Sequence, residues 1–392
     1  MTSTMTKPGR IASIDVYRAL TMLFMIFVND LFTISDVPHW LEHAAADEDM
    51  LGFSDIVFPS FLFILGMSIP LAIEIRRKKG DSKIEILKHI LIRSVALLVM
   101  GMFTVNLEAG VSSAIGKPAF TFIMLLAFFF IWNLYPKTED KKKQSFYSIL
   151  KIVGIIILAV LAFIYRDAGG DIFQPRWWGI LGLIGWTYLL CAIIYLFLNK
   201  KRIYLIVAFF FFTLLCIAGS NRWLGSFDSI IPGNGCFHAF TMCGMLISLL
   251  FNQPKSELSI NKKMLVSTGV GIGFLLAGFI SHYFWIISKI QATPTWLFLC
   301  TGISVLFYVF MYWFADMQKK ASWFDIIKPA GTATLTCYLV PYFLYSLFVL
   351  IPFSLPEVIT TSPVGLIKCV VFSFITIGIT ALLGKAGVKL KI

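Results

Sequence analysis

The sequence predicts an all-α fold, a polytopic membrane helix bundle of about twelve transmembrane helices (or eleven) with a cytoplasmic N-terminus. Three observations predict it. Apolar residues make up 58% of the 392 and charged residues only 14%, against about 45–50% and about 25% in soluble chains. The apolar residues fall into one series of segments near the length of about 20 residues that a helix needs to cross a bilayer core. Lys and Arg alternate along the links between segments, dense then sparse, which is the charge sorting of a membrane protein.

The segments, in order, are 14–34, 56–75, 86–107, 118–135, 147–165, 177–198, 202–219, 231–251, 264–287, 294–315, 329–352 and 363–384. The fourth and seventh are short, as expected of tilted or partly re-entrant helices. Residues 1–13 form a cytoplasmic tail, and 35–55 form a loop on the opposite side. Dense links hold Arg76, Arg77, Lys78, Lys79 and Lys83, then Lys141, Lys142 and Lys143, then Lys319, Lys320 and Lys328. The sparse links hold Lys117, Arg166, Arg176, Arg222 and Lys289. This asymmetry puts the dense links inside and the 35–55 loop outside, in a plasma or inner membrane.

No Pro/Gly-rich linker divides the chain, so 1–392 reads as a single integral-membrane domain. The net charge of +12 is spread over short links rather than along a stripe, so no nucleic-acid partner is expected. The seven cysteines sit almost wholly within apolar segments without metal spacing and read as small buried hydrophobes. The first segment is too long and polar for the core of a signal peptide, and no small-residue cleavage site follows it. The triplets Gly179, Gly182, Gly185 and Gly269, Gly271, Gly273 predict close helix approaches.

Ionisable groups inside a bilayer cost roughly 3 kcal/mol each on insertion scales, so those present are read as structural partners or as working groups. Asp15 and Arg18 lie three apart near the inner end of the first span and can pair. Arg93 sits about two turns into the third span, too deep to snorkel easily. It needs a carboxylate such as Asp15, a carbonyl or a bound anion. Asn29 and Asp30 lie in the outer third of the first span, and Asp55 opens the second on the same side.

Further polar groups converge on that outer side. Arg176, Trp177 and Trp178 open the sixth span, Asn234 and His238 begin the eighth, and His282 ends the ninth with Lys289 just beyond. His39 and His43 stand four apart in the acidic outer loop, but no H-E-x-x-H motif or third placed ligand accompanies them, so no metal is expected. An outward histidine also serves as a general base, since its ordinary pKa of about 6.5 lies near working pH.

The order of these elements resembles the heparan-α-glucosaminide N-acetyltransferase family of transmembrane acyltransferases. The resemblance begins at Ser13-Ile14-Asp15-Val16-Tyr17-Arg18-Ala19-Leu20 and continues through Phe27-Val28-Asn29 to His43-Ala44. It resumes at Gly52, Asp55-Ile56-Val57-Phe58-Pro59, Phe61-Leu62-Phe63 and Gly66, and Arg93 also fits. Weaker similarity lies in Arg176–Leu181, Gly225–Ile230 and Pro294-Thr295-Trp296. The chain departs from the pattern in a longer His43–Asp55 loop and in Gly182-Leu183, where the family carries Gln-Arg.

The resemblance implies transfer of an acetyl or other short acyl group from cytosolic acetyl-CoA, as acyl donor, to an amino sugar or sugar hydroxyl on the far side. It places His43 at the family's catalytic histidine and Asn29 at the asparagine that works with it. The chemistry agrees. His43 can act as base, Asn29 can donate to the tetrahedral oxyanion, and Asp55 can fix the imidazole tautomer. Arg18, Arg93, Arg76 and Arg77 can meet the CoA phosphates. Arg176, Trp178, Asn234, His238 and His282 form the candidate acceptor site. Dimers occur in the resembling family, so a homodimer within the lipid bilayer is a compatible assembly. The alternative is a secondary transporter of a small carboxylate or sugar, which would favour a midplane site with repeats and broken helices.

Overall fold

A computed structural model describes residues 11–111, 115–198, 202–227, 230–252, 258–351 and 354–392. Asp228 and Ser229 lie outside the described residues, as do residues 1–10. The chain folds into helices α1 (Ala12–Asp30), α2 (Phe53–Lys78), α3 (Lys83–Glu108), α4 (Gly116–Trp132), α5 (Lys141–Ile164), α6 (Ile180–Leu198) and α7 (Arg202–Ser220). It continues through α8 (Cys236–Asn252), α9 (Ile260–Ser281), α10 (Pro294–Met311), α11 (Lys328–Thr332), α12 (Thr334–Leu350), α13 (Glu357–Thr360) and α14 (Val364–Lys385). Among the described residues there is no strand beyond two isolated bridges.

Every predicted span falls on a helix. Among the described residues, ten helices are long and apolar enough to cross a membrane, and an eleventh span forms if the bent α11–α12 unit counts as one. The fourth segment makes only the 17 residues of α4, and the eleventh is broken by a 75° bend between Thr332 and Thr334. The all-α polytopic bundle is therefore the observed architecture.

Local chemistry sets the helix starts. Ser82 and Glu85 form a reciprocal capping box at α3, and the Ser259 and Thr293 hydroxyls cap α9 and α10. The N-terminus of α1 is capped from a distance. Asp316, in the π-helical turn that continues α10, accepts from the backbone N–H groups of Ala12 and Ser13 at 2.8 and 2.9 Å.

Helices α2 and α8 run through the centre, while α5, α9 and α14 stand at the periphery with large apolar side chains exposed, as lipid-facing helices do. The central pair packs backbone to backbone. A Cβ built at Gly66 would lie 2.0 Å from the Thr241 carbonyl oxygen, and one at Gly244 would lie 2.0 Å from that of Phe63. Gly179 and Gly185 likewise seat α6 against α3. In the second glycine triplet only Gly271 makes a close approach. Gly269 and Gly273 have nothing within 4 Å, so the packing expectation fails for those two.

A buried ion pair joins the helices at the C-terminal end of α1. Asp30, 1% exposed, accepts from Lys368 of α14 at 2.8 Å and from the Tyr345 hydroxyl of α12 at 2.7 Å. Lys368 also contacts the Thr33 hydroxyl. A charge buried at that depth persists because its partners replace water.

Candidate active site

Asp55 organises the site. It occupies the first turn of α2, where a carboxylate is favoured by the unpaired N–H groups and the dipole of the helix. Its Oδ2 accepts from the backbone N–H groups of Ala44 and Gly52, at 3.1 and 3.3 Å, which closes the loop between them. Its Oδ1 stands 2.7 Å from His43 Nδ1. Asp55 is 1% exposed, whereas His43 is 47% exposed and faces open space. In the tautomer that donates Nδ1–H to Asp55, Nε2 of His43 carries the lone pair that can accept a proton, with Lys289 Nζ 3.4 Å away.

The loop ahead of α2 is held on all sides. The Ser54 hydroxyl donates to the Leu41 carbonyl at 2.5 Å, and the Trp296 indole N–H donates to the Asp55 carbonyl at 3.1 Å. A second loop, between α9 and α10, is clamped to the first. Asp49 accepts from the Ile287 N–H at 2.8 Å and contacts His282 Nε2 at 2.7 Å. The Ala46 carbonyl accepts from the Ser288 hydroxyl at 3.0 Å and from the Gln291 amide at 2.6 Å. The Ile287 amide, and after it His282, holds the Asp49 carboxyl below its ordinary range.

This clamp delivers Lys289. Its Nζ lies 3.0 Å from His43 Nδ1, 3.4 Å from Nε2 and 3.8 Å from Asp55 Oδ1, with the side chain 24% exposed. Burial pulls the lysine below its usual pKa, against the pull of Asp55.

His43, Asn29 and Lys289 line one cavity of about 720 Å³. Trp177, Trp178 and Trp186 form its aromatic wall, and Asn234 and Gln291 add amides. The Asn29 side chain has no hydrogen-bond partner among the described residues and is half-buried, so its amide is available to a ligand. The rim at Asn234 needs its local sequence. Gly233, Asn234 and Gly235 have φ of 61°, 47° and 89° in succession, a left-handed run open to Gly and Asn and strained for other residues.

A second chamber of about 110 Å³ lies deeper, lined by Met22, Leu65, Arg93 and Tyr338 among others, and it shares Met25 and Ile180 with the first. Met22, Met25 and Asn29 fall on one face of α1 and run from one chamber to the other. The Arg93 guanidinium rests on the Tyr188 ring at 4.7 Å, and its buried Nε has no hydrogen-bond partner. Asp15 pairs instead with Arg18 at 3.3 Å.

The predicted residues thus divide. Asn29, His43, Trp178 and Asn234 line the main cavity, with Asp55 directly behind His43. Three of the acceptor-site candidates lie outside that lining. His282 belongs to the loop clamp, and Arg176 stands 3.5 Å from Asp167. His238 is fully buried and stacked on Phe212 at 4.8 Å, on the side of α8 that packs against α7. Arg18, Arg76 and Arg77 already face carboxylates, at Asp15, Asp81 and Glu74, and line none of these chambers. Arg76 lies about 30 Å along α2 from Asp55, at a rise of about 1.5 Å per residue.

Lys289 carries no site role in the sequence reading. The signal that marks it is its position, a lysine on the side where basic residues are scarce. Among the described residues, no group of three or more His, Cys, Asp or Glu side chains is placed to hold a metal ion.

A family profile described as a domain of unknown function, DUF5009, matches residues 10–233. The chain belongs to the DUF5009 family. The matched range carries Asn29, His43, Asp55, Arg93 and Trp178, while Lys289 comes from the part of this DUF5009 protein beyond it. The protein is also 35% identical over 100 residues to human (Homo sapiens) heparan-alpha-glucosaminide N-acetyltransferase, and 33% identical over 99 residues to the mouse (Mus musculus) protein of that name. Each match covers 25% of this chain and 14% of the relative's length.

Proposed function

We propose that this protein is an integral-membrane acyltransferase that moves an acetyl or other short acyl group from cytosolic acyl-CoA to a sugar amine or hydroxyl on the other side of the membrane. The observation that carries the reading is the Asp55–His43 pair opening onto a cavity that Asn29 also lines. A buried carboxylate, an imidazole whose Nε2 carries a lone pair and an unpartnered amide supply an oriented base and an oxyanion donor. The partial likeness to two acetyltransferases supports the same chemistry.

In this reading the donor approaches from the end opposite His43. Arg93, whose buried Nε lacks a partner, meets an anionic group of CoA, and the pantetheine arm passes between Met25 and Ile180. The acceptor lies against Trp177, Trp178 and Trp186, whose flat apolar faces suit the C–H face of a sugar ring, with Asn234 and Gln291 near its hydroxyls. His43 Nε2 takes the proton of the attacking amine or hydroxyl, Asn29 supports the oxyanion, and the proton then passes to the leaving thiolate. Acyl transfer through an acyl-His43 intermediate uses the same parts.

The test is transfer from [14C]acetyl-CoA to glucosamine by the purified full chain in lipid nanodiscs. The proposal expects transfer that His43→Ala abolishes without loss of acetyl-CoA binding. Absence of acetyl-CoA binding by the folded protein, together with carrier-type uptake of glucosamine in proteoliposomes, would replace it with the transporter alternative.

A further inference from the structure

The Lys289 ammonium is poorly satisfied where it stands. When His43 Nδ1–H donates to Asp55, Nδ1 at 3.0 Å offers Lys289 no lone pair, which leaves it only two long contacts, the Nε2 lone pair at 3.4 Å and Asp55 Oδ1 at 3.8 Å. The Lys289 side chain nevertheless lines the cavity, three-quarters withdrawn from solvent, on a loop fixed by four hydrogen bonds to the His43 loop. A fixed, under-coordinated cation facing a cavity is a site for negative charge.

Resting on the acyl-transfer reading, we propose that Lys289 is a catalytic residue whose ammonium carries the oxyanion of the tetrahedral intermediate. When the acceptor nitrogen or oxygen attacks, its bond to the acyl carbon forms and the carbonyl π pair moves onto oxygen. The acceptor proton goes to His43 Nε2. The site then holds an imidazolium and an oxyanion. Asp55 faces the first at 2.7 Å, and Lys289 Nζ, 3.0 Å from Nδ1 and 3.4 Å from Nε2, loses the Nε2 lone pair to the incoming proton and turns to the second. Asp55 and Lys289 carry the charges opposite to the imidazolium and the oxyanion, so the pair of charges already present complements the pair that develops. On collapse the carbonyl reforms, the C–S bond breaks, and the thiolate takes the proton from His43. Lys289 gives up no proton.

Asn29, on α1, is then the second donor to the same oxygen, which explains why a donor arrives from the distant α9–α10 loop and why that loop is clamped.

The experiment compares Lys289→Ala and Lys289→Arg with the unaltered full chain in nanodiscs, using [14C]acetyl-CoA and glucosamine. Lys289→Ala is expected to lower kcat about 10²-fold, the usual effect of removing one oxyanion donor, with KM for acetyl-CoA within about twofold. Ethylammonium in the buffer restores part of that rate, and Lys289→Arg retains more activity than Lys289→Ala. The proposal is overturned if Lys289→Ala keeps kcat within about threefold. It is equally overturned if the loss resists ethylammonium and Lys289→Arg is as impaired as Lys289→Ala, since that pattern marks a structural lysine. Should Lys289→Ala not fold, Lys289→Met keeps most of the apolar stem and takes its place: kcat within about threefold, or a loss no greater than that of Lys289→Arg, would overturn the proposal. If His43→Ala is inactive while Lys289→Ala is active, only this inference falls. If the unaltered chain transfers nothing, it is the acyltransferase reading that falls.

Discussion

Replacing Asp55 by Asn changes one atom at the centre of the site. The carboxylate accepts from Ala44 N–H, Gly52 N–H and His43, with Lys289 at 3.8 Å, and is 1% exposed. In the Asp55→Asn variant the new amide oxygen best takes the Oδ2 position, where it keeps both backbone donors. Its NH2 group then faces His43 Nδ1, which must become an acceptor. The imidazole proton moves to Nε2, and the nitrogen facing the cavity is no longer a base. A tautomer inverted in this way lowers kcat about 10⁴-fold in a Ser-His-Asp enzyme, and a loss of about 10³–10⁴-fold is expected here. Stability falls less. One charged hydrogen bond weakens and Lys289 loses its counter-ion, a loss of about 2–3 kcal/mol. Asp55→Ala adds two unsatisfied N–H groups at about 1–3 kcal/mol each. The assay is acetyl transfer alongside thermal unfolding followed by tryptophan fluorescence, with Trp296 bonded to the Asp55 carbonyl as a local reporter. Asp55→Asn with near-normal transfer and normal unfolding would refute the assignment of Asp55 as the group that orients His43.

Lys368→Met leaves Asp30 buried beside only the Tyr345 hydroxyl and is expected to cost about 3–5 kcal/mol, with much of it recovered in Lys368→Met/Asp30→Asn, as read by denaturation in detergent. Gly244→Leu forces α2 and α8 apart at a contact that leaves no room even for Cβ, so expression of the folded protein should collapse, whereas Gly273→Leu should be tolerated. Asp49→Ala frees the clamp, and because the carboxylate is 42% exposed the cost is at most about 1 kcal/mol, seen as faster hydrogen exchange in the α9–α10 loop. The folded state lowers the Asp49 pKa, so the clamp is complete above the ordinary carboxylate value of about 3.9 and loosens as pH falls below it. The same exchange experiment at about pH 3 and about pH 6, on either side of that value, should show this.

The spans were legible because membrane helices need long apolar runs, and each such run became a helix. The 75° break between α11 and α12 was not, since Pro329 and Gly331 mark a disturbance without giving its angle. Asn29 and His43 were singled out by the family resemblance, with Asp55 as their chemical partner, and short-range connectivity brings the three together, since two lie at the ends of neighbouring helices and one in the loop joining them. Longer-range pairings were hidden. His282 has the same residue type and depth as a cavity ligand, yet its partner is Asp49, 233 positions away. His238 sits on a helix buried on nearly every side, where periodicity cannot say which face meets a cavity. Lys289 reaches His43 across 246 positions, and only the folded clamp reveals it.

The most direct test of the central claim is a cryo-EM map of the full chain in nanodiscs with acetyl-CoA bound. The account predicts the thioester carbon in the cavity of about 720 Å³, with the pantetheine arm between Met25 and Ile180. Space remains for an acceptor atom within about 3–3.5 Å of both that carbon and His43 Nε2. Acetyl-CoA bound with its thioester outside that cavity, or on the far side of Met25 and Ile180 with no opening between the chambers, would contradict it.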